Sequence, residues 1–162
     1  MANLYVAFNG PSPTTASQVA VTTGTNIKTL LQVATPSTRQ IKVIEWGISF
    51  DGSAAATPGI VELCTTDVAA SVTSLTPTLW GDPNGTASLC VGGASATGYT
   101  ASAEGSITAI RMFDAQHIAP TNQYVKQFPL GREPMVAVSR FLRVRVKFSA
   151  AINALCYIVW EE

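Results

Sequence analysis

Ile41-Lys42-Val43-Ile44-Glu45-Trp46-Gly47-Ile48-Ser49-Phe50-Asp51-Gly52 is the stretch whose reading decides the fold. Its even positions, Lys42, Ile44, Trp46, Ile48 and Phe50, fall on one side of a period-two strand, and all but Lys42 are large and apolar. The odd positions start apolar at Ile41 and Val43 and turn polar at Glu45, Gly47 and Ser49. Asp51-Gly52 supplies turn chemistry. A segment this rich in β-branched and aromatic residues belongs in the middle of a sheet. Glu45 stands out, because a carboxylate in such a strand must be paired, placed at a contact, or costly.

Outward from this strand the chain reads as a run of short strands. Leu4 to Phe8 is closed by Asn9-Gly10-Pro11-Ser12-Pro13, and Gln18 to Thr22 by Thr23-Gly24-Thr25-Asn26. Ile27 to Ala34 fits a strand or a helical stripe; Thr29, Val33 and Thr35-Pro36 decide for a strand. Ile60 to Cys64 follows, then a loop-rich region from Thr65 to Gly98 with a short edge strand at Leu89 to Val91. Tyr99 to Glu104, Ile107 to Phe113 and Gln123 to Phe128 complete the middle. The C-terminus reads as a hairpin: Phe141 to Phe148, a turn at Ala150-Ala151, and Ala154 to Trp160. The expectation is an all-β fold, a two-sheet antiparallel β-sandwich of jelly-roll type. It is one domain over residues 1–162, with 1–26 an extended N-terminal segment.

Composition narrows the function. Charged residues are 12% of the chain against 47% hydrophobic, which predicts surface covered by other subunits, or else an ordinary uncharged polar exterior. Net charge is +0 overall, but the residues up to Glu104 carry an acidic excess and those from Gly105 a matching basic one. That split is too weak for a nucleic-acid footprint, and no apolar span reaches membrane length. No secretory signal is read at the N-terminus, so synthesis in the cytoplasm is expected, with Cys64, Cys90 and Cys156 as reduced thiols.

Catalytic constellations are missing from the sequence. His117 follows Asp114 by three residues, but no Gly-x-Ser-x-Gly elbow accompanies them, and His117 reads as a loop residue. One histidine and scattered cysteines do not make a zinc set. Glu45 and Glu62 offer a carboxylate pair of glycosidase type, against the plainer reading that one of them pairs with an arginine of the C-terminal hairpin. Gly92-Gly93 and Gly81-Asp82-Pro83-Asn84-Gly85 lack the helix and lysine of a phosphate loop. Trp80 beside Gly81-Asp82 leaves a sugar-stacking shelf open; packing is the alternative. The expectation is a protein that is not an enzyme and takes no cofactor.

Interaction residues are easier to nominate. Arg143, Arg145 and Lys147 share one face of the Phe141 to Phe148 strand, either snorkelling over apolar neighbours or forming an interface. The strand Ala154 to Trp160 is apolar on both faces. Its second face, with Phe141, suggests a three-fold contact in which Ile158 and Trp160 exclude water and Arg143 and Arg145 meet Glu161, Glu162 or Glu45 of a neighbour. The alternative is a second cover inside the chain, from the Thr65 to Gly98 loops. Pro129-Leu130-Gly131-Arg132-Glu133-Pro134 is a rigid turn that presents Arg132 and Glu133 for an ion pair, between subunits or internal.

Four strings carry a resemblance: Ile41 to Gly52, Gly81-Asp82-Pro83-Asn84, Phe128-Pro129-Leu130-Gly131-Arg132-Glu133-Pro134, and Ile158-Val159-Trp160-Glu161-Glu162. Together, from about Ile27 to Glu162, they resemble a group of small virion proteins of tailed bacteriophages, notably those of actinobacteria. The resemblance implies a structural phage protein. Its size, β character and lack of catalytic motifs suggest a head decoration (cement) protein on the capsid surface, a homotrimer bound to the major capsid protein. The competing expectation is an adhesion module, on the tail or exposed on the head, that binds host surface carbohydrate.

Overall fold

The computed structural model describes residues 2–53, 55–82 and 84–162. Pro83 of the Gly81 to Gly85 turn and Ala54 of the loop after the central strand therefore lie outside the described residues. The strands in chain order are β1 (Leu4–Phe8), β2 (Val21–Thr22), β3 (Lys28–Ala34), β4 (Ile41–Phe50), β5 (Gly59–Thr66), β6 (Ser71–Ser74) and β7 (Thr78–Leu79). There follow β8 (Gly98–Ala103), β9 (Ile110–Ile118), β10 (Gln123–Gln127), β11 (Met135–Val136), β12 (Phe141–Lys147) and β13 (Asn153–Glu161). No helix occurs among the described residues.

The strands form two antiparallel sheets packed face to face, a β-sandwich. Sheet A is seven-stranded, ordered β10-β4-β13-β1-β7, with β11 on β4 and β2 on β13. Sheet B is six-stranded, ordered β6-β8-β3-β12-β5-β9. The sandwich is established; a jelly-roll connection pattern is a finer expectation. Leu89 to Val91 is not a strand, whereas β6, β7 and β11 were not legible in the sequence. All three are short, and β6 is built largely of Ser and Thr, without an apolar alternation to read.

Two local readings are corrected by the topology. The expected C-terminal hairpin does not pair with itself: β12 lies in sheet B between β3 and β5, and β13 lies in sheet A between β4 and β1. The connection crosses from one sheet to the other, and its ends Phe148 and Ile152 are buried. Both strands are nonetheless central, which explains why both are so apolar. The second correction is in β4, where Val159 faces Glu45 but Trp160 faces Val43, leaving Ile44 as an extra residue. This β-bulge reverses the alternation. Ile41 and Val43 therefore point into the core together with Trp46 and Ile48, and all are buried.

The core fills the space between the sheets. Sheet A contributes Tyr5, Ile41, Val43, Trp46, Ile48, Cys156, Ile158 and Trp160. Sheet B contributes Leu30, Val33, Val61, Leu63, Leu142, Val144 and Val146. Each large aliphatic side chain so buried stabilises the fold by about 1.5–3 kcal/mol. Ile158 and Trp160 are both 0% exposed, so the three-fold contact expected of them is ruled out by the chain's own core.

Candidate docking face and the fate of the charged residues

The outer face of sheet B holds the arginines. Arg143 is 0% exposed. One guanidinium nitrogen, Nη1, donates to the Glu104 backbone oxygen at 3.1 Å and to its carboxylate at 3.2 Å, while Nη2 donates to the Val68 carbonyl. Glu104 also accepts from the Thr29 N–H and hydroxyl, each at 2.6 Å. Beside it, Arg145 donates from Nε and Nη2 to one oxygen of Glu62 at 3.1 and 2.6 Å. The expectation that Arg143 and Arg145 reach acids of a neighbouring subunit is therefore corrected. Both are used within the chain, and Val68 of the Thr65 to Gly98 region supplies part of the cover. Cys64 lies in this cluster, and burial pushes its thiol up to about 11, with the neighbouring arginines opposing.

Other nominated residues are likewise occupied or scattered. Cys64, Cys90 and Cys156 are free and buried. Glu45 is on the outer face of sheet A and accepts a hydrogen bond from the Tyr157 hydroxyl, so it does not face Glu62, which belongs to the other sheet. Asp114 is buried, held by the Tyr124 hydroxyl at 2.9 Å, Gln116 at 2.9 Å and Lys126 at 3.4 Å. His117 is on strand β9 rather than in a loop, opposite Ile60. Phe141 is half-buried against Thr66. Glu161 pairs with Lys42 at 3.5 Å. Among the described residues no group of His, Cys, Asp and Glu is arranged to hold a metal ion.

The chain end is a small latch. Glu162 accepts from the Ser88 hydroxyl, from the Leu89 N–H at 2.8 Å and from the Trp160 indole at 3.0 Å. Burial alone would raise its carboxyl, but these donors outweigh burial and hold it below the ordinary value.

The outer face of sheet A is treated differently. One row runs across four strands, from Phe8 of β1 to Tyr157 of β13, Gly47 of β4 and Val125 of β10. Gly47 is required here, because a Cβ would sit 2.5 Å from the Tyr157 ring that lies over it. The Phe8 and Tyr157 rings lie 5.7 Å apart, and burial lifts the Tyr157 phenol well above its usual range, with Glu45 adding to the effect. The next row is Leu155, Ser49 and Gln123. Asn9, fully buried, pins the departing chain by donating to the Ala154 carbonyl at 2.8 Å and accepting from the Cys156 N–H at 3.0 Å. Ser12 and Gln18 then wall a groove of about 460 Å³ whose apolar lining is Phe8, Val125, Leu155 and Tyr157. Phe8 is 39% exposed and Val125 55%.

Beyond the end of β10 stands the two-proline turn. Its backbone is tied by Phe128 N–H to Ile44 O and Arg132 N–H to Pro129 O, both 2.9 Å, and by Gly131 N–H to the Glu133 carboxylate at 2.7 Å. Gly131 has φ +82°, which favours glycine. Glu133 is thus engaged locally, and Arg132 is in none of the ion pairs among the described residues. The turn's tip is Leu130, 96% exposed. Phe8, Val125 and Leu130 were not singled out by sequence reasoning as contact residues; β-alternation of the Gln123 to Gln127 strand was the available signal for Val125.

Comparison with protein-family models, with curated proteins and with solved structures finds no match to this chain. The phage likeness rests on the four sequence strings quoted above.

Proposed function

We propose that this chain is a non-catalytic structural protein of a tailed-phage virion, a decoration protein on the outside of the head. In this reading it is made in the host cytoplasm, forms a homotrimer and contacts the major capsid protein across subunit seams. One observation carries it beyond the sequence resemblance: the chain pairs Arg143 and Arg145 internally with Glu104 and Glu62 and leaves an apolar face uncovered around Phe8, Val125 and Tyr157. A protein that stabilises an assembled shell must bind the assembled state better than its free parts. An apolar patch on a stiff two-sheet frame supplies such contact at little ordering cost. Trimer and capsid contacts are accordingly assigned to the sheet A side, with Phe8, Val125 and Leu130 in place of Ile158 and Trp160. Purified virions test this by copy number per particle and location in cryo-EM maps: many copies on the head support it, and a handful at the tail refute it.

A second reading, carbohydrate adhesion, is favoured by the groove's make-up. Two aromatic rings form part of its floor, and Ser12, Gln18, Ser49 and Gln123 offer hydroxyls and amides at its rim. Saturation-transfer NMR with host-surface glycans decides: transfer lost in Tyr157→Ala supports adhesion, and no transfer removes it.

A further inference from the structure

The sandwich ends on one side at β9, the terminal strand of sheet B. At nine residues it is far longer than β6 or β7, the terminal strands at the opposite side. Its first residues, Ile110, Arg111 and Met112, are all exposed, and no backbone hydrogen bond among the described residues reaches their outward edge. A free, partly apolar edge of this length is a template for another strand.

The side chains there alternate in a useful way. Arg111 pairs with Thr65, which itself pairs with the core residue Leu142, so Arg111 points to the inner side of the sheet. Ile110 and Met112 point to the outer side. Next to the inner side a cavity of about 370 Å³ opens, lined by Thr65, Arg111, Phe113, Met135 and Arg140. Neither arginine is in an ion pair among the described residues, and no carboxylate lines the cavity. Asp67, whose carboxylate reaches the chain just before this edge, is already engaged by the Thr108 hydroxyl and the N–H groups of Thr108 and Ala109, and Asp114, which follows Phe113, is buried against Tyr124, Gln116 and Lys126. The bonds to Asp67, the Thr108 hydroxyl first, hold the Asp67 carboxyl down to about 2.

We propose that the Ile110–Phe113 edge of β9 is a strand-addition site for an extended segment of another protein that reads apolar–acidic–apolar. The backbone of that segment completes sheet B, its acidic side chain enters the cavity between Arg111 and Arg140, and its two apolar side chains lie beside Ile110 and Met112. A second copy of this chain is a poor occupant, since β9 against β9 brings two arginine-lined cavities together without adding an exposed carboxylate. The site is separate from the groove on sheet A and does not depend on what that groove binds.

The probe is a labelled, capped peptide of alternating valine and threonine with one central glutamate flanked by valines, compared with its glutamine counterpart. Fluorescence anisotropy should show the glutamate peptide binding about tenfold more tightly, as a charge-assisted pair requires. The doubly substituted Arg111→Gln, Arg140→Gln chain should bind both peptides equally, with an unchanged thermal transition. Bound glutamate peptide should slow amide exchange at Ile110–Phe113. Absence of binding, equal affinity for the two peptides, or protection appearing on β6 or β10 instead overturns the proposal. So does a wild-type dimer that Met112→Lys dissociates, which would make a second copy the occupant.

Discussion

The two outer faces of this sandwich share a scaffold and differ in what covers them. On sheet B, Arg143 and Arg145 sit where a wet surface would normally be, yet Glu104, Glu62 and the Val68 carbonyl close over them. On sheet A, the row from Phe8 through Tyr157 to Val125 on the terminal strand β10 lies open across the face, flanked by Ser12 and Gln18 of the Gly10 to Ala20 segment. Sheet B thus hides its two central arginines, while sheet A shows hydrophobe. Charge alternating along a strand indicates only which residues share a side. Whether that side is solvent, interface or covered by a loop depends on partners brought from distant positions, such as Glu104 for Arg143.

The largest break is expected at the core. Trp160→Ala removes a fully buried ring and should cost about 3–5 kcal/mol in urea denaturation, as an unfolding effect in the single chain. A loss of oligomer at unchanged folding stability would instead return Trp160 to an interface. Next comes the covered face. Glu104→Ala strips Arg143 of its counter-charge inside the protein and should cost about 3 kcal/mol, while Arg132→Ala, at an exposed residue that is in no ion pair among the described residues, should change stability by less than about 0.5 kcal/mol.

Most of the longer strands were legible from period two and turn chemistry, and β1 carries the expected limits, whereas β9 runs Ile110–Ile118 where Ile107 to Phe113 was expected and the short β6, β7 and β11 were not read. What could not be read was which strands are neighbours. Phe141 to Phe148 and Ala154 to Trp160 look like a hairpin because only a short turn separates them, but pairing is decided by which faces close the core, and the chain crosses between sheets there. The bulge at Ile44 was equally hidden, since a single extra residue leaves composition and turn signals unchanged. Of the nominated contact residues, Ile158, Trp160, Arg143 and Arg145 were misplaced for this reason. The turn at Pro129 to Pro134 followed from φ fixed by proline, a strictly local property, and the chain does turn there, with Arg132 N–H bonded to Pro129 O.

A smaller effect belongs to the C-terminal latch. Glu162→Gln should lower stability at neutral pH by about 1 kcal/mol, after allowing for its partial exposure. Because the folded carboxyl is held below its ordinary value of 4.5, its contribution is complete above that pH and is lost as pH falls through the lowered value. Wild type and variant should therefore converge in acid, as measured by denaturation midpoints across that range. A difference that persists unchanged would remove the latch.

Smallest of all in stability, and most telling for function, is Val125→Asp on the open face. A half-exposed edge-strand position should tolerate it within about 0.5 kcal/mol. Binding is another matter, because the change places a charge in the apolar groove that the proposed role requires. The decisive measurement adds purified wild type or Val125→Asp, both shown to be folded, to phage heads lacking this protein and quantifies what sediments with them. The account predicts saturable binding of wild type and at least a tenfold weaker association for the variant, the loss expected when a charge must be desolvated at a contact. Equal binding of the two proteins, or no binding of wild type to heads, would contradict it.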